Sequence, residues 1–228
     1  MKYKPTSKEE LQKLVDDLSV NLGDIDTSKI TDMSYLFCYT SRTDFSGIEN
    51  WDVSKVKDMQ DMFFGAKAFN QPIGDWDVSR VKNMVAMFAF AESFNQDISK
   101  WNVSNVWDMG SMFEKATSFN ADISKWDVGN VKYMNAMFYC ARAFNQPIGD
   151  WNVGKVWSMV SMFQGAESFN QDISSWDVSN VKYMRDMFKN AESFNQDLSD
   201  WDLSKVENID DETKELICNG CNNIRRMQ

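Results

Sequence analysis

Tryptophan stands at 51, 76, 101, 126, 151, 176 and 201, an unbroken period of 25 residues. A fixed period of this length constrains a chain strongly, because one such unit cannot bury its own apolar side and has to stack on its neighbours. Counting each repeat from its tryptophan as place 1, the complete repeats put valine at places 3 and 6, methionine at 9, Met-Phe at 12 and 13, alanine at 16 and Phe-Asn at 19 and 20. An aliphatic residue follows at 23. The segment DIDTSKITDMSYLF aligns Ile25 with place 1 and Met33 with place 9, which adds one divergent repeat that is a residue longer. A last partial repeat starts at Trp201 and fades after Ile209.

Within the repeat, Trp and Val two residues apart share one face of an extended segment, as a period of two requires. Val at 6, Met at 9, Met-Phe at 12 and 13 and Ala at 16 then recur every three to four residues, which predicts a helix of about three turns. Serine at place 4 (Ser54, Ser79, Ser104, Ser179, Ser204), or glycine in Gly129 and Gly154, is expected to act as the N-cap of that helix. The expected fold class is therefore α/β, a solenoid of about eight 25-residue strand-helix coils with helical caps. Its divisions are an N-terminal helical cap over 1–24, the repeat solenoid over 25–208 and a C-terminal helical cap over 209–228. Ser7-Lys8-Glu9-Glu10 has the form of a capping box ahead of a helix over about 8–18, and DDETKELICNG predicts a second over about 211–219.

Composition narrows the partners. With 228 residues, 43% of them hydrophobic, the chain is long enough to bury a real core. A net charge of −10 argues against nucleic acid and anionic membranes, both of which reward basic patches. No apolar run reaches the roughly 18 residues a spanning helix needs, so no membrane insertion is expected. MKYKPTSKEELQKL lacks the apolar stretch of a signal peptide, and the expectation is a chain without one. Cys38, Cys140, Cys218 and Cys221 share no spacing with the repeat, which reads as unpaired thiols in a reducing compartment such as the cytoplasm.

Little of the sequence points to catalysis. There is no histidine, which removes the usual general base and the Ser-His and Cys-His pairs. No glycine-rich phosphate loop is present. Cys218-Asn219-Gly220-Cys221 is a lone C-x-x-C without the further ligands zinc wants, and it reads as incidental. The methionine column falls on the apolar stripe, where thioethers fill core gaps rather than hold copper. The asparagine column (Asn70, Asn95, Asn120, Asn145, Asn170, Asn195) is expected to satisfy backbone groups of its own and the next coil. No catalytic residue, no metal ligand and no cofactor is assigned, and the chain is expected not to be an enzyme.

The phrase W-D-V-S-x-V-x-x-M-x-x-M-F-x-x-A-x-x-F-N-Q-D-I-S resembles the 25-residue repeat of BspA-like leucine-rich-repeat surface proteins and of mycoplasma surface lipoproteins, over roughly residues 25 to 209. The resemblance implies a leucine-rich-repeat-like solenoid used for adhesion and host or matrix contact, with no enzymatic activity attached. It also implies the cell surface or secretion, in contrast to the reading of the cysteines. A non-enzymatic protein-binding scaffold is the leading functional expectation. A carbohydrate-binding or carbohydrate-processing solenoid is the alternative, since parallel folds can host acid clusters.

Two columns carry the candidate surface. Place 2 holds Asp52, Asp77, Asp127 and Asp177 where place 7 is Lys57, Lys82, Lys132 and Lys182, but Asn102 and Asn152 where place 7 is Trp107 and Trp157. Charges that come and go together suggest a column of surface ion pairs. Trp107 and Trp157, flanked by neutral Asn102 and Asn152, are the expected binding residues, because place 7 lies beside the apolar stripe and is otherwise mostly lysine.

Overall fold

The coils close by turns of three residues. In the repeat from Trp76, the N–H of Val81 donates to the carbonyl of Val78, Met87 to Met84, Ala91 to Phe88, Phe94 to Ala91 and Trp101 to Ile98, at 2.9–3.3 Å. Donor and acceptor residues are all buried. The apolar residues at places 3, 6, 9, 12, 13, 16, 19 and 23 are thus the corners of a chain of tight turns facing one core. The computed structural model describes the backbone of residues 1–223 and the side chains of residues 1–217.

This overturns the α/β, leucine-rich-repeat-like expectation of strand-helix coils. Among the described residues the only α-helices are α1, Lys8–Asp16, and α2, Asp211–Asn223, with single 3₁₀ turns at Leu22–Asp24 and Ile48–Asn50. No strand forms. The coils touch through isolated parallel bridges, one per coil at place 8, running Asp32, Asp58, Asn83, Asp108, Tyr133, Ser158, Tyr183, Asn208. The physical reason is visible at places 9 to 15. The N–H groups of Met84, Ala86, Phe88 and Phe90 donate forward to Asp108, Gly110, Met112 and Glu114 of the next coil, at 2.7–3.1 Å, while those between them close turns in their own coil. An α-helix would send every one of these donors back along its own chain.

Turning alternate peptides outward needs a left-handed residue twice in each coil, at places 11 and 15. Ala86 has φ 51° and Phe90 58°, and Ser111, Lys115, Ala136, Cys140, Ser161, Asp186 and Asn190 repeat the pattern. Each such residue with a side chain costs about 1–2 kcal/mol, which the forward hydrogen bonds and the core offset. The spacing contained the warning: corners exactly three apart belong to turns of three residues, whereas a 3.6-residue helix drifts off such a row within a few steps.

Stacked identical corners make stacked rings. The place 13 phenylalanines follow one another at 5.6–5.9 Å from Phe63 to Phe188, nearly parallel, and each packs on its own coil's place 19 ring, as Phe88 does on Phe94 at 3.9 Å. The asparagine column does what its regularity predicts: the N–H groups of Asn95, Asn120, Asn145, Asn170 and Asn195 donate to the Oδ1 of the asparagine one coil back.

Helices stand at both ends of the stack. Ser7 Oγ caps α1 by accepting the Glu10 N–H. Arg42, a buried residue of the first coil, donates to the carbonyls of Val15, Asp17, Val20 and Asp44 and so ties α1 and the chain after it to the stack. At the other end the Asp210 carboxylate accepts the N–H of Thr213 at the start of α2. It also accepts the outward-turned N–H of Asp186, at 2.5 Å. The backbone of α2 runs to Asn223, but the side chains of Cys218 and Cys221 lie outside the described residues.

Candidate functional site

The acid column of place 2 is a set of turn caps. Asp52 Oδ1 accepts from the backbone N–H of Ser54 at 3.0 Å and from its hydroxyl at 2.6 Å, and Asp77, Asp177 and Asp202 accept the same backbone N–H from Ser79, Ser179 and Ser204. Asn102 does so for Ser104, Asp127 for Gly129 and Asn152 for Gly154. Place 4 is therefore a donor to place 2, and the helix-capping role expected of its serines is not found. The ion pairs expected between places 2 and 7 are also absent among the described residues, where salt bridges join other positions. Asp and Asn interchange at place 2 because both supply the Oδ1 that the turn needs.

Place 22 repeats the device. Asp97, Asp122, Asp172 and Asp197 cap Ser99, Ser124, Ser174 and Ser199. These serine N–H and hydroxyl groups hold the carboxyls of Asp52, Asp77, Asp97 and Asp177 below the ordinary carboxylate value.

Trp107 and Trp157 are 43% and 40% exposed, as their place beside the apolar corners leads one to expect. They do not stand alone. Tyr133 lies between them, edge-on to Trp107 at 6.1 Å and to Trp157 at 6.0 Å, and Tyr183 meets Trp157 edge-on at 5.3 Å. Four neighbouring coils thus carry one continuous ladder of interlocked rings. The ladder arises because place 8 is the bridge column and place 7 stands next to it. There the backbone bonds of Trp107 N–H to Lys82 O and Lys132 N–H to Trp107 O hold successive coils in register.

Sequence reasoning missed Tyr133 and Tyr183. Their signal was present: tryptophan at place 7 and tyrosine at place 8 alternate from coil to coil from 101 to 200.

The strip ends on charge. Lys182 Nζ lies 5.9 Å from the Trp157 ring and pairs with Glu207 at 2.7 Å. That pairing raises the lysine's pKa and lowers the glutamate's. Beside Trp107, Asp108 is half-buried, and burial pushes its carboxyl up against the opposing pull of the Gly110 N–H. Asn102 and Asn152 are exposed and use Oδ1 within their turns, so the coils that carry the indoles have no carboxylate at place 2. Among the described residues no group of His, Cys, Asp and Glu is placed to hold a metal, and no helix is long and apolar enough to cross a membrane.

Fold and surface together define a repeat protein of stacked turn-built coils with periodic aromatic stacking. The chain belongs to the family described as "Mycoplasma protein of unknown function, DUF285", whose profile matches residues 8–125 and 115–218. That match carries the mycoplasma half of the resemblance read from the sequence and does not extend to leucine-rich-repeat proteins. No curated protein and no solved structure matches the chain.

Proposed function

We propose that this chain is a non-enzymatic binding scaffold whose contact surface for a protein partner is the strip Trp107, Tyr133, Trp157 and Tyr183. The observation that supports this reading is the unbroken edge-to-face ladder in a column where most other coils carry lysine at place 7. Rings that lock one another lose little freedom on binding, and Trp and Tyr supply much of the energy at protein interfaces. Neutral Asn102 and Asn152 belong to the same surface by sparing it two carboxylates on an otherwise acidic chain. An adhesin-like role in host or matrix contact is the setting such a strip suits.

The test uses the residue that the other coils choose. Wild type and the double variant Trp107→Lys/Trp157→Lys are immobilised and exposed to the same host-cell and matrix extracts, and a glycan array is probed in parallel. The variant is expected to unfold within about 0.5 kcal/mol of wild type, as surface substitutions usually do, and to lose proteins that wild type retains. Equal retention by both would sink the strip as the site. Loss confined to glycans would replace the protein reading by the carbohydrate one.

A further inference from the structure

A second aromatic column lies on another side of the coil, at places 14 and 15. Tyr39, 74% exposed, meets Phe64 at 5.0 Å, and Phe64 meets Phe90 at 5.2 Å. On the next coil Lys115 stands where a ring would, its Nζ 4.6 Å from the centroid of Phe90 and 5.7 Å from that of Tyr139. Beside this column runs a groove of about 430 Å³ whose walls include Phe90, Lys115, Lys67, Glu92 and Arg142.

The cations in it differ. Lys67 pairs with Glu92 at 2.9 Å and Arg142 with Glu167 at 3.1 Å. Among the described residues Lys115 has no carboxylate within ion-pair distance, although it is half-buried between rings that exclude water from one side. The backbone makes the choice of residue costly as well. Place 15 is left-handed in every complete coil, and Gly65, Gly165 and Asn190 suit it, yet Phe90 and Lys115 hold it at φ 58° and 53°. Bulky side chains in that region cost about 1–2 kcal/mol each, and the fold does not ask for them. Glu92 and Glu167 neutralise two of the groove's three cations, which leaves the Lys115 ammonium as its net charge, complementary to a carboxylate of a short anionic segment. That charge is too local to overcome the repulsion of a long polyanion.

We propose that this groove binds an acidic peptide segment, with Lys115 as the ligand of one carboxylate and the Phe90 ring, which lines the groove, as the floor for a neighbouring apolar side chain. Phe90 and Tyr139 hold the ammonium in place, so its donors are pre-aimed and little freedom is lost on binding. The inference does not depend on the Trp107–Tyr183 strip.

The experiment measures anisotropy of a labelled peptide of alternating glutamate and leucine against its glutamine counterpart, on the full chain at low and moderate salt. Wild type is expected to prefer the acidic peptide by about tenfold or more, the scale of one charge-assisted hydrogen bond, with the preference shrinking as salt rises. Lys115→Gln should abolish the preference, and Trp107→Lys/Trp157→Lys should leave it intact. Phe90→Gly, which adopts the residue used at Gly65 and Gly165, should weaken binding while the thermal melt is retained. Equal binding of the two peptides, binding of neither, or a preference that survives Lys115→Gln would each overturn the proposal. So would displacement of the peptide by an oligosaccharide of uronic acids at lower concentration than by unlabelled acidic peptide.

Discussion

The indole N–H of Trp126 donates to the carbonyl oxygen of Ile98, 28 residues back, at 3.1 Å. The same bond joins Trp51 to Leu22, Trp76 to Ile48, and every later tryptophan of place 1 to the aliphatic residue at the end of the coil before its neighbour. It works where no ladder of backbone bonds does, since the Trp-Asp-Val segments do not pair as strands. Trp126→Phe keeps much of the apolar bulk but leaves the buried Ile98 carbonyl with the Trp101 N–H as its one donor, for an expected loss of about 0.5–1.5 kcal/mol. Trp126→Ala adds a cavity and should cost about 3–5 kcal/mol. Urea unfolding of both variants checks the order; a phenylalanine variant as stable as wild type would mean that the bond is idle.

The turn caps make a prediction that an ion-pair column would not. Asp127 Oδ1 accepts the Gly129 N–H at 3.0 Å, and asparagine does the same work in neighbouring coils. Asp127→Asn is expected to be neutral within about 0.5 kcal/mol, and Asp127→Ala to lose about 0.5–2 kcal/mol, as capping residues do. Lys132→Ala should change nothing measurable in unfolding. A loss on removing Lys132 equal to that on removing Asp127 would restore the ion pair.

Acid should loosen the stack. The carboxyls of Asp52, Asp77, Asp97 and Asp177 titrate below their ordinary value of 3.8, because the folded chain donates hydrogen bonds from Ser54, Ser79, Ser99 and Ser179 to the ionised form. A carboxyl depressed by folding contributes stability that is fully present above the unfolded value and is lost as pH falls through the folded one. The urea midpoint is therefore expected to hold above about pH 5 and to drop steadily below pH 4. A midpoint unchanged down to pH 2.5 would refute this.

Asp108 has the opposite sign. Burial raises its carboxyl, so its contribution is favourable only while protonated and is lost as pH rises through the raised value. Asp108→Asn keeps an Oδ1 for the Gly110 N–H, as Asn83 does for Val85. It should raise stability at pH 7 by roughly 0.2–1 kcal/mol, the range for partly exposed charges. The gain should shrink in thermal melts of the pair as pH falls toward the ordinary carboxyl value of 3.8.

Arg42 fastens the N-terminal helix. Its guanidinium, in a residue only 6% exposed, satisfies carbonyls of Val15, Asp17, Val20 and Asp44. Arg42→Met fills similar space but removes the donor to the carbonyls of Val15, Val20 and Asp44, while Asp17 keeps the Val20 N–H, with an expected loss of about 2–4 kcal/mol. Hydrogen exchange should quicken over residues 8–24 before it does in the central coils. Uniform exchange in the variant would show that the cap is held by its apolar contacts alone.

The sequence by itself determined the 25-residue coil, the identity of every core corner and the half-exposed indoles of Trp107 and Trp157, because exact repetition places like residues at like depth. It also carried the asparagine column, in which each backbone N–H meets the Oδ1 of the asparagine one coil back. What it did not decide is how the corners are joined. A row of apolar residues three apart suits one turn of helix as well as a string of tight turns, and the choice rests on where alternate N–H groups go. That destination is the next coil, present only once the stack exists, and it alone makes left-handed Ala86, Phe90 and Lys115 tolerable. The same holds for the surface: pairing of Asp and Lys across places 2 and 7 was a correlation along the chain, while Tyr133 between Trp107 and Trp157 and Lys115 between Phe90 and Tyr139 are contacts between coils. Local hydrogen bonds from Ser54 and its counterparts claimed the aspartates first, since a donor two residues away needs no long side chain to be held in place.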